Sequence, residues 1–177
     1  MRYYNLRPQG SIGYAENMSQ LDSDMERGTS WVVAQGAIFA FFLITILFGD
    51  TVEDVPGLIF AQIVGLIVGI SGAAVSVWSL LQHGSRVSPF PRPADGAHLV
   101  DSGPYRYVRH PMYSGIVIFT LGVALAYANP VALLSPATFL VFFMAKTGRE
   151  EEMLLERVPG YGAYRSEVPW RIVPFVM

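Results

Sequence analysis

Residues 31–48 read "WVVAQGAIFAFFLITILF", and Gln35 is the only strongly polar side chain among them. A helix needs roughly 18–20 apolar residues to cross a bilayer, and this stretch supplies them. Working outward, residues 57–81, "GLIFAQIVGLIVGISGAAVSVWSLL", meet the same length. A third apolar stretch runs from Tyr113 to Ala128 and a fourth from Val131 to Ala145. Both are shorter, the fourth carries Pro136, and only Asn129–Pro130 separates them. Together they read as a tight helical hairpin with Asn-Pro as its turn. The expectation is an all-α integral membrane protein with four transmembrane helices, over about 31–48, 57–81, 112–128 and 131–146.

Charge placement supports that count. Arg2, Arg7 and Arg27 precede the first span; Arg86, Arg92, Arg106 and Arg109 lie between the second and third. Lys146, Arg149, Arg157, Arg165 and Arg171 end or follow the fourth. The connection "GDTVEDVPG" after the first span has three acids and no base, and the hairpin turn is uncharged. All twelve basic residues thus fall on one side of a four-span arrangement. By the positive-inside rule, both termini and the long loop are cytoplasmic. Residues 1–30 read as a polar cytoplasmic segment, with no signal-peptide core in "MRYYNLRPQG". Residues 31–177 then form one membrane domain.

Composition excludes several classes. Apolar residues make up 52 % of the chain, above the range of an ordinary soluble domain. The net charge is −2 and no basic, aromatic-interleaved patch is present, so nucleic acid is not an expected partner. With no cysteine there is no thiolate ligand or nucleophile, and the dispersed histidines show no metal-ligand spacing. Gly65, Gly69 and Ala73 recur every four residues, a spacing that lets membrane helices approach closely within one molecule.

The polar segments hold the chemistry. The loop containing "SPFPRP" has Pro89, Pro91 and Pro93, which favour extended backbone. Next comes "SGPYRYVRHPMYSG", residues 102–115. Pro111 suits a first helical position and biases His110 toward extended backbone, so His110 marks the entry to the third span. Free N–H groups at such a helix start attract anions. Singly, Tyr105, Arg106, Arg109 and Tyr113 read as interfacial anchors, but anchors do not require His-Pro flanked by Gly103-Pro104 and Gly115. After the fourth span comes "KTGREEE". Lys146 and Glu150 are four apart and share a helix face. Glu152 and Glu156 read as a solvated helix end, whereas Glu150 and Glu151 lie within a turn of the membrane surface beside cations, where an acid is a functional candidate. "REEEMLLERV" has helical composition, and "VPWRIVPFVM" is amphipathic with Trp170 and Phe175 suited to the interface.

In this order and spacing, "LVDSGPYRYVRHPMYSG", the acidic run and "PGYGAYRSEVPW" resemble the isoprenylcysteine carboxyl methyltransferases and their relatives, the phospholipid N-methyltransferases. The resemblance covers roughly the last hundred residues. It implies a membrane enzyme using S-adenosylmethionine, in a pocket formed by the loop before the third helix (97–115) and the C-terminal cytoplasmic segment (146–171). By the resemblance, His98, Leu99, Val100 and Tyr105 line the cofactor, with His110, Pro111, Met112 and Tyr113 in the Arg-His-Pro-x-Tyr segment. Glu150 falls at the acid that holds the cofactor from the other side, with Glu151 beside it. The acidic run is three long, and the choice of pair among Glu150, Glu151 and Glu152 is open by one position, while Gln82 matches a further contact. Lys146 falls where the family has a substrate-facing basic residue, more usually arginine. Lysine is a point charge without arginine's bidentate fork, which argues against a prenylcysteine carboxylate as acceptor.

Methyl transfer from a sulfonium is an in-line displacement that depends on alignment. Tyrosine faces and a carboxylate suit the cation, and no metal is required. Lys146, Arg109 and Glu150 are the expected catalytic groups: an oxyanion acceptor needs only orientation by a base, whereas an amine must give a proton to a glutamate. The acceptor is expected to be a lipid or prenyl-type molecule with a carboxylate, phosphate or amine head, drawn from the surrounding bilayer. Two other readings stand beside this one. Sterol reductases share an Arg-His-x-x-Tyr segment and use NADPH, and a non-catalytic scaffold would make the same residues replaceable anchors. Arginine outnumbers lysine eleven to one, a compositional hint of a bacterial inner-membrane protein. The sequence leaves the oligomeric state open.

Overall fold

The computed structural model describes residues 28–83, 90 and 98–175. The expected polyproline loop, most of the N-terminal polar segment, and Arg2, Arg7, Arg27, Arg86 and Arg92 lie outside the described residues. Every regular element described is helical. Four long helices follow one another: α1 (Thr29–Phe48), α2 (Leu58–His83), α3 (Pro111–Ala126) and α4 (Ser135–Arg157). A short α5 (Tyr161–Glu167) follows. Helices α1 and α2 are long and apolar enough to cross a membrane. Phe41, Leu47, Phe48, Ile59, Phe60, Ile67, Ile70 and Leu81 on them point outward and are more than half exposed. Water would penalise such a surface, and lipid does not.

Helix α3 begins as its sequence requires. Pro111 occupies the first turn, and His110 before it is non-helical, at φ −126° and ψ 61°, short of the fully extended backbone expected from the sequence. The helix has 16 residues, about 24 Å, which is short of a bilayer's hydrocarbon core. It ends at the expected Asn129–Pro130 turn, where Ala128 takes φ +50°. Asn129 is fully buried there. Its amide Nδ2 donates to the Thr45 carbonyl at 2.7 Å and its Oδ1 accepts from the Ala132 N–H at 2.9 Å. The turn is thereby tied to the end of α1. A short 3-10 turn, Ala132–Leu134, then leads into α4, with Pro136 harmless in its first turn. The expected fourth span and the acidic "REEEMLLER" are one continuous helix.

Two of the seams between the helices differ in kind. Between α2 and α3 the contact is backbone on backbone. A Cβ on Gly65 would lie 2.5 Å from the Ala126 nitrogen and 2.8 Å from the Gly122 carbonyl oxygen, while one on Gly122 would collide with Gly69. Gly72 and Gly115 meet in the same way, and Ser76 donates to the Met112 carbonyl at 3.1 Å. Of the expected Gly65, Gly69 and Ala73, the two glycines thus meet α3 within the monomer, and Gly72 adds a further close contact. Between α1 and α4 the contact is ring on ring: Trp31–Phe142, Phe39–Phe139 and Phe42–Phe139, with centroids at 5.7, 4.7 and 6.3 Å.

Candidate active site

One stripe of α4 builds the site. Phe139 and Phe143 fill the apolar core, and the same stripe continues one turn at a time into Lys146, Glu150 and Glu151. These three charged side chains are buried. Opposite them stand Arg109, His110 and Tyr113, brought in by the entry to α3. The C-terminal segment closes the third side, because the Arg109 and His110 N–H groups donate to the Trp170 and Arg171 carbonyls at 2.9 and 2.8 Å. Those N–H groups are therefore satisfied by the chain itself, and the anion-attracting helix start expected from the sequence is largely closed. The Tyr113 and Ser114 N–H groups likewise turn back to the His110 carbonyl.

The two glutamates have opposite environments. Glu151 is gripped from every side. Arg109 donates through Nε at 2.7 Å and Nη2 at 3.3 Å, and His110 Nε2 lies 3.2 Å away. Arg171 and Arg165 approach at 3.3 and 3.7 Å. Burial opposes ionisation of Glu151, but the hydrogen bonds from His110 and Arg109, and their charges, outweigh it and hold the carboxyl at about 2. Arg109 also donates through Nη1 to the Val168 carbonyl at 2.7 Å, so its fork is fully engaged within the fold.

Glu150 has no arginine partner among the described contacts. The Tyr113 hydroxyl donates to it at 2.6 Å, His110 Nδ1 is 3.5 Å away, and Lys146 Nζ is 3.8 Å away. Burial raises its pKa above the ordinary carboxylate range, against the pull of His110, Tyr113 and Lys146. His110 thus bridges both acids and stacks on Tyr113, which stacks in turn on Phe143 at 4.2 Å. Glu152 turns outward and pairs with Arg149, with both side chains more than half exposed. The buried pair is therefore Glu150 and Glu151.

The remaining sequence candidates fall around this centre. Tyr105 packs with Val158, Tyr161, Tyr164 and Val168, against Leu99, Val100 and Leu154. Tyr164 fixes the Tyr105 backbone by donating to its carbonyl at 2.7 Å. Pro111 is buried at the helix start and Met112 is half-buried. Gln82 lies at the end of α2, where its Oε1 accepts from Ser102 at 3.2 Å and its amide adjoins Gly103, which sits at φ +60°. His98 and Arg106 are exposed and stand outside the buried centre. Sequence reasoning passed over Gln35, whose Oε1 accepts from Lys146 Nζ at 2.7 Å, and the roles of Arg165 and Arg171. The signal for Gln35 was present, as a lone amide in an apolar span.

Comparison with known proteins follows the same lines. A family model described as phospholipid methyltransferase matches residues 60–161, more than half of the chain. A protein-S-isoprenylcysteine O-methyltransferase of Xenopus laevis is 28 % identical over 127 residues, covering 70 % of this chain and 44 % of that protein. A delta(14)-sterol reductase of Mus musculus is 34 % identical over 90 residues, covering 47 % of this chain but 21 % of that protein. Among solved structures, a eukaryotic intramembrane Ras methyltransferase, an isoprenylcysteine carboxyl methyltransferase, superposes with a TM-score of 0.56 at 27 % identity. That superposition covers 84 % of this chain and 53 % of that one. The chain thus spans about half the length of the methyltransferases it matches. The family match takes in both the Arg109–Tyr113 segment and the Lys146–Glu151 stripe, and the chain belongs to the phospholipid methyltransferase family.

Proposed function

We propose that this protein is an S-adenosylmethionine-dependent methyltransferase of the membrane, acting on a lipid or prenyl-type acceptor. In this reading the chain crosses the bilayer four times, with both termini and the site on the cytoplasmic face. One observation carries the proposal: Glu150 is a buried carboxylate facing tyrosine and histidine, while its neighbour Glu151 takes up the arginines. A buried acid left in this way suits a cationic ligand. The donor set fits the cofactor. Glu150 faces positive charge, the Tyr105 ring suits a sulfonium, and Leu99 and Val100 offer an apolar wall.

When bound, S-adenosylmethionine supplies an electrophilic methyl group. The chain's own residues do the aligning. Glu151, ionised and held by Arg109, fixes His110 from behind; Arg109 is thus proposed as a positioning residue rather than a catalytic one. His110 and Tyr113 set the Glu150 carboxylate. Lys146 faces the acceptor and orients an anionic head, and Glu150 is the base if the head is an amine. The names of the relatives, prenylcysteine methyltransferases, support an apolar acceptor tail.

The test is incorporation of label from methyl-labelled S-adenosylmethionine into a total lipid extract by the detergent-purified protein. Label in the organic phase, reduced at least about tenfold in Glu150→Gln, supports the proposal; tenfold corresponds to loss of one charge-assisted contact of about 1.4 kcal/mol. The match to a sterol reductase keeps a second reading open. Absence of label together with oxidation of NADPH in the presence of sterol would favour it.

A further inference from the structure

The connection between α1 and α2 meets the end of α3 around a cavity of about 320 Å3. It stands at the opposite end of α3 from His110, about 24 Å along the helix. Backbone geometry fixes its walls. The Val52 N–H donates to the Ala128 carbonyl at 2.9 Å, which ties the connection to the end of α3. Asp54 and Gly57, at φ +59° and +82°, then turn the chain into α2. Thr51, Glu53, Gln62 and Tyr127 form the polar lining, and Val52 and Leu58 supply apolar wall.

Gln62 gives this cavity its interest. It is the only strongly polar side chain between Leu58 and Ile70, about one turn into a helix long and apolar enough to cross a membrane. It is half-buried and lines the cavity, while Ile59, Phe60 and Ile63 beside it are each more than half exposed. An amide in a membrane helix requires a partner, since lipid chains offer none. Among the described residues, no side-chain hydrogen bond or ion pair engages Gln62, Glu53, Thr51 or Tyr127. The chemistry of these groups selects the ligand. The Glu53 carboxylate only accepts, the Gln62 Oε1 and Thr51 hydroxyl can accept, and the Tyr127 ring presents a negative face. No lysine or arginine lines the cavity, and the connection from Gly49 to Gly57 carries three acids and no base, so an anion finds no charge partner. An ammonium, as on lysine, has three donors and no acceptor, and it matches this set.

We infer that the cavity holds the ammonium head group of a membrane lipid, at the end of the bundle far from the charged centre. Its volume takes a head group and not a whole lipid. The exposed Ile59, Phe60 and Ile63 continue from it along α2 and give the acyl chains their surface. This site is separate from the proposed cofactor pocket and stands whether or not the methyltransferase reading holds.

The experiment is titration of the detergent-purified full chain with short-chain phosphatidylethanolamine, read by native mass spectrometry. Phosphatidylglycerol, which has the phosphate without the ammonium, is the comparison. The amino lipid is expected to bind at least about tenfold more tightly, the worth of a charge-assisted contact, and Glu53→Gln to remove that preference. Gln62→Leu, a change that suits a membrane helix, is expected to weaken the amino lipid about threefold or more, the worth of one neutral hydrogen bond. Glu152→Gln, at the other end of the molecule, should bind as the original does. Free ethanolamine is expected not to compete. Equal binding of the two lipids by the unaltered chain overturns the inference without any variant. A preference kept in both Glu53→Gln and Gln62→Leu also overturns it, as does free ethanolamine binding as tightly as the lipid.

Discussion

The seam between α2 and α3 and the seam between α1 and α4 solve the same problem with opposite materials. The first uses glycines, so that two backbones meet with nothing between them. The second uses rings, plus one hydrogen bond from Lys146 to Gln35. In lipid no hydrophobic effect separates one helix from another, so association rests on packing and on polar contacts. The glycine seam leaves no room for an added atom at Gly65, Gly72, Gly115 or Gly122, and it fixes α3, whose first residue follows His110. The aromatic seam is made of side chains, which we expect to adjust where backbone cannot, and it carries the charged stripe of α4. The difference teaches that the site is assembled from one rigid wall and one adjustable wall.

The comparison breaks most severely at the rigid wall. Gly122→Leu would drive a side chain into the backbone around Gly69, and we expect loss of the folded, monodisperse protein on size exclusion in detergent. Gly36→Ala, at a position with open space around it, should elute unchanged. Next in size is Glu151→Ala, which leaves Arg109 buried without its partner carboxylate. Breaking a buried pair costs about 3–5 kcal/mol, to be read from the thermal midpoint. Glu151 also sets an acid limit. It stays ionised in the fold to about pH 2 against an ordinary value of 4.5, so its stabilisation is complete above 4.5 and is lost as pH falls toward 2. The amount at stake is about 3 kcal/mol, and the acid melting curve of Glu151→Gln should lack that descent.

The adjustable wall should respond more gently. Phe139→Ala removes a ring that packs on both Phe39 and Phe42. In a tightly packed core that change costs about 3–5 kcal/mol; here we expect less, because the neighbouring rings can shift into part of the space that the fully buried Phe139 leaves. A thermal midpoint lowered as far as in Glu151→Ala would contradict the contrast between the two seams. The smallest effect belongs to the exposed pair of Arg149 and Glu152, whose double-mutant cycle should give less than about 1 kcal/mol.

Much of the architecture was legible in the sequence because its signals are local. Pro111 after His110 dictated where α3 begins, and Asn129–Pro130 dictated where the hairpin turns. That His110 and the acidic run would meet followed from placing both segments on one side of the bilayer, whereas the choice of Glu150 and Glu151 over Glu152 as the buried pair needed the structure. What escaped depends on contacts far apart in the chain. Gln35 and Lys146 are 111 residues apart, and nothing local marks them as partners. Arg165 and Arg171 read as two more basic residues on the cytoplasmic side, yet Arg171 reaches Glu151 at 3.3 Å and Arg165, still exposed, approaches it at 3.7 Å. The closing of the helix start by the Trp170 and Arg171 carbonyls was likewise invisible, since it depends on how the C-terminal segment folds back. The continuity of α4 was half visible: its composition is helical throughout, but the change from apolar to acidic suggests a break the backbone does not make.

The central claim is that Glu150, and not its better-held neighbour, receives a cationic cofactor. The most direct test is titration of the purified protein with S-adenosylhomocysteine across pH, compared with Glu150→Gln and Glu152→Gln. Saturable binding is expected, retained in Glu152→Gln and weakened at least about tenfold in Glu150→Gln, the effect of removing one charge-assisted contact. Binding is also expected to fade on the acid side at a higher pH than an ordinary carboxylate would give, because burial raises Glu150 and only its ionised form attracts the cation. Binding unaffected by Glu150→Gln, or binding of NADPH in place of the homocysteine, would contradict the central claim.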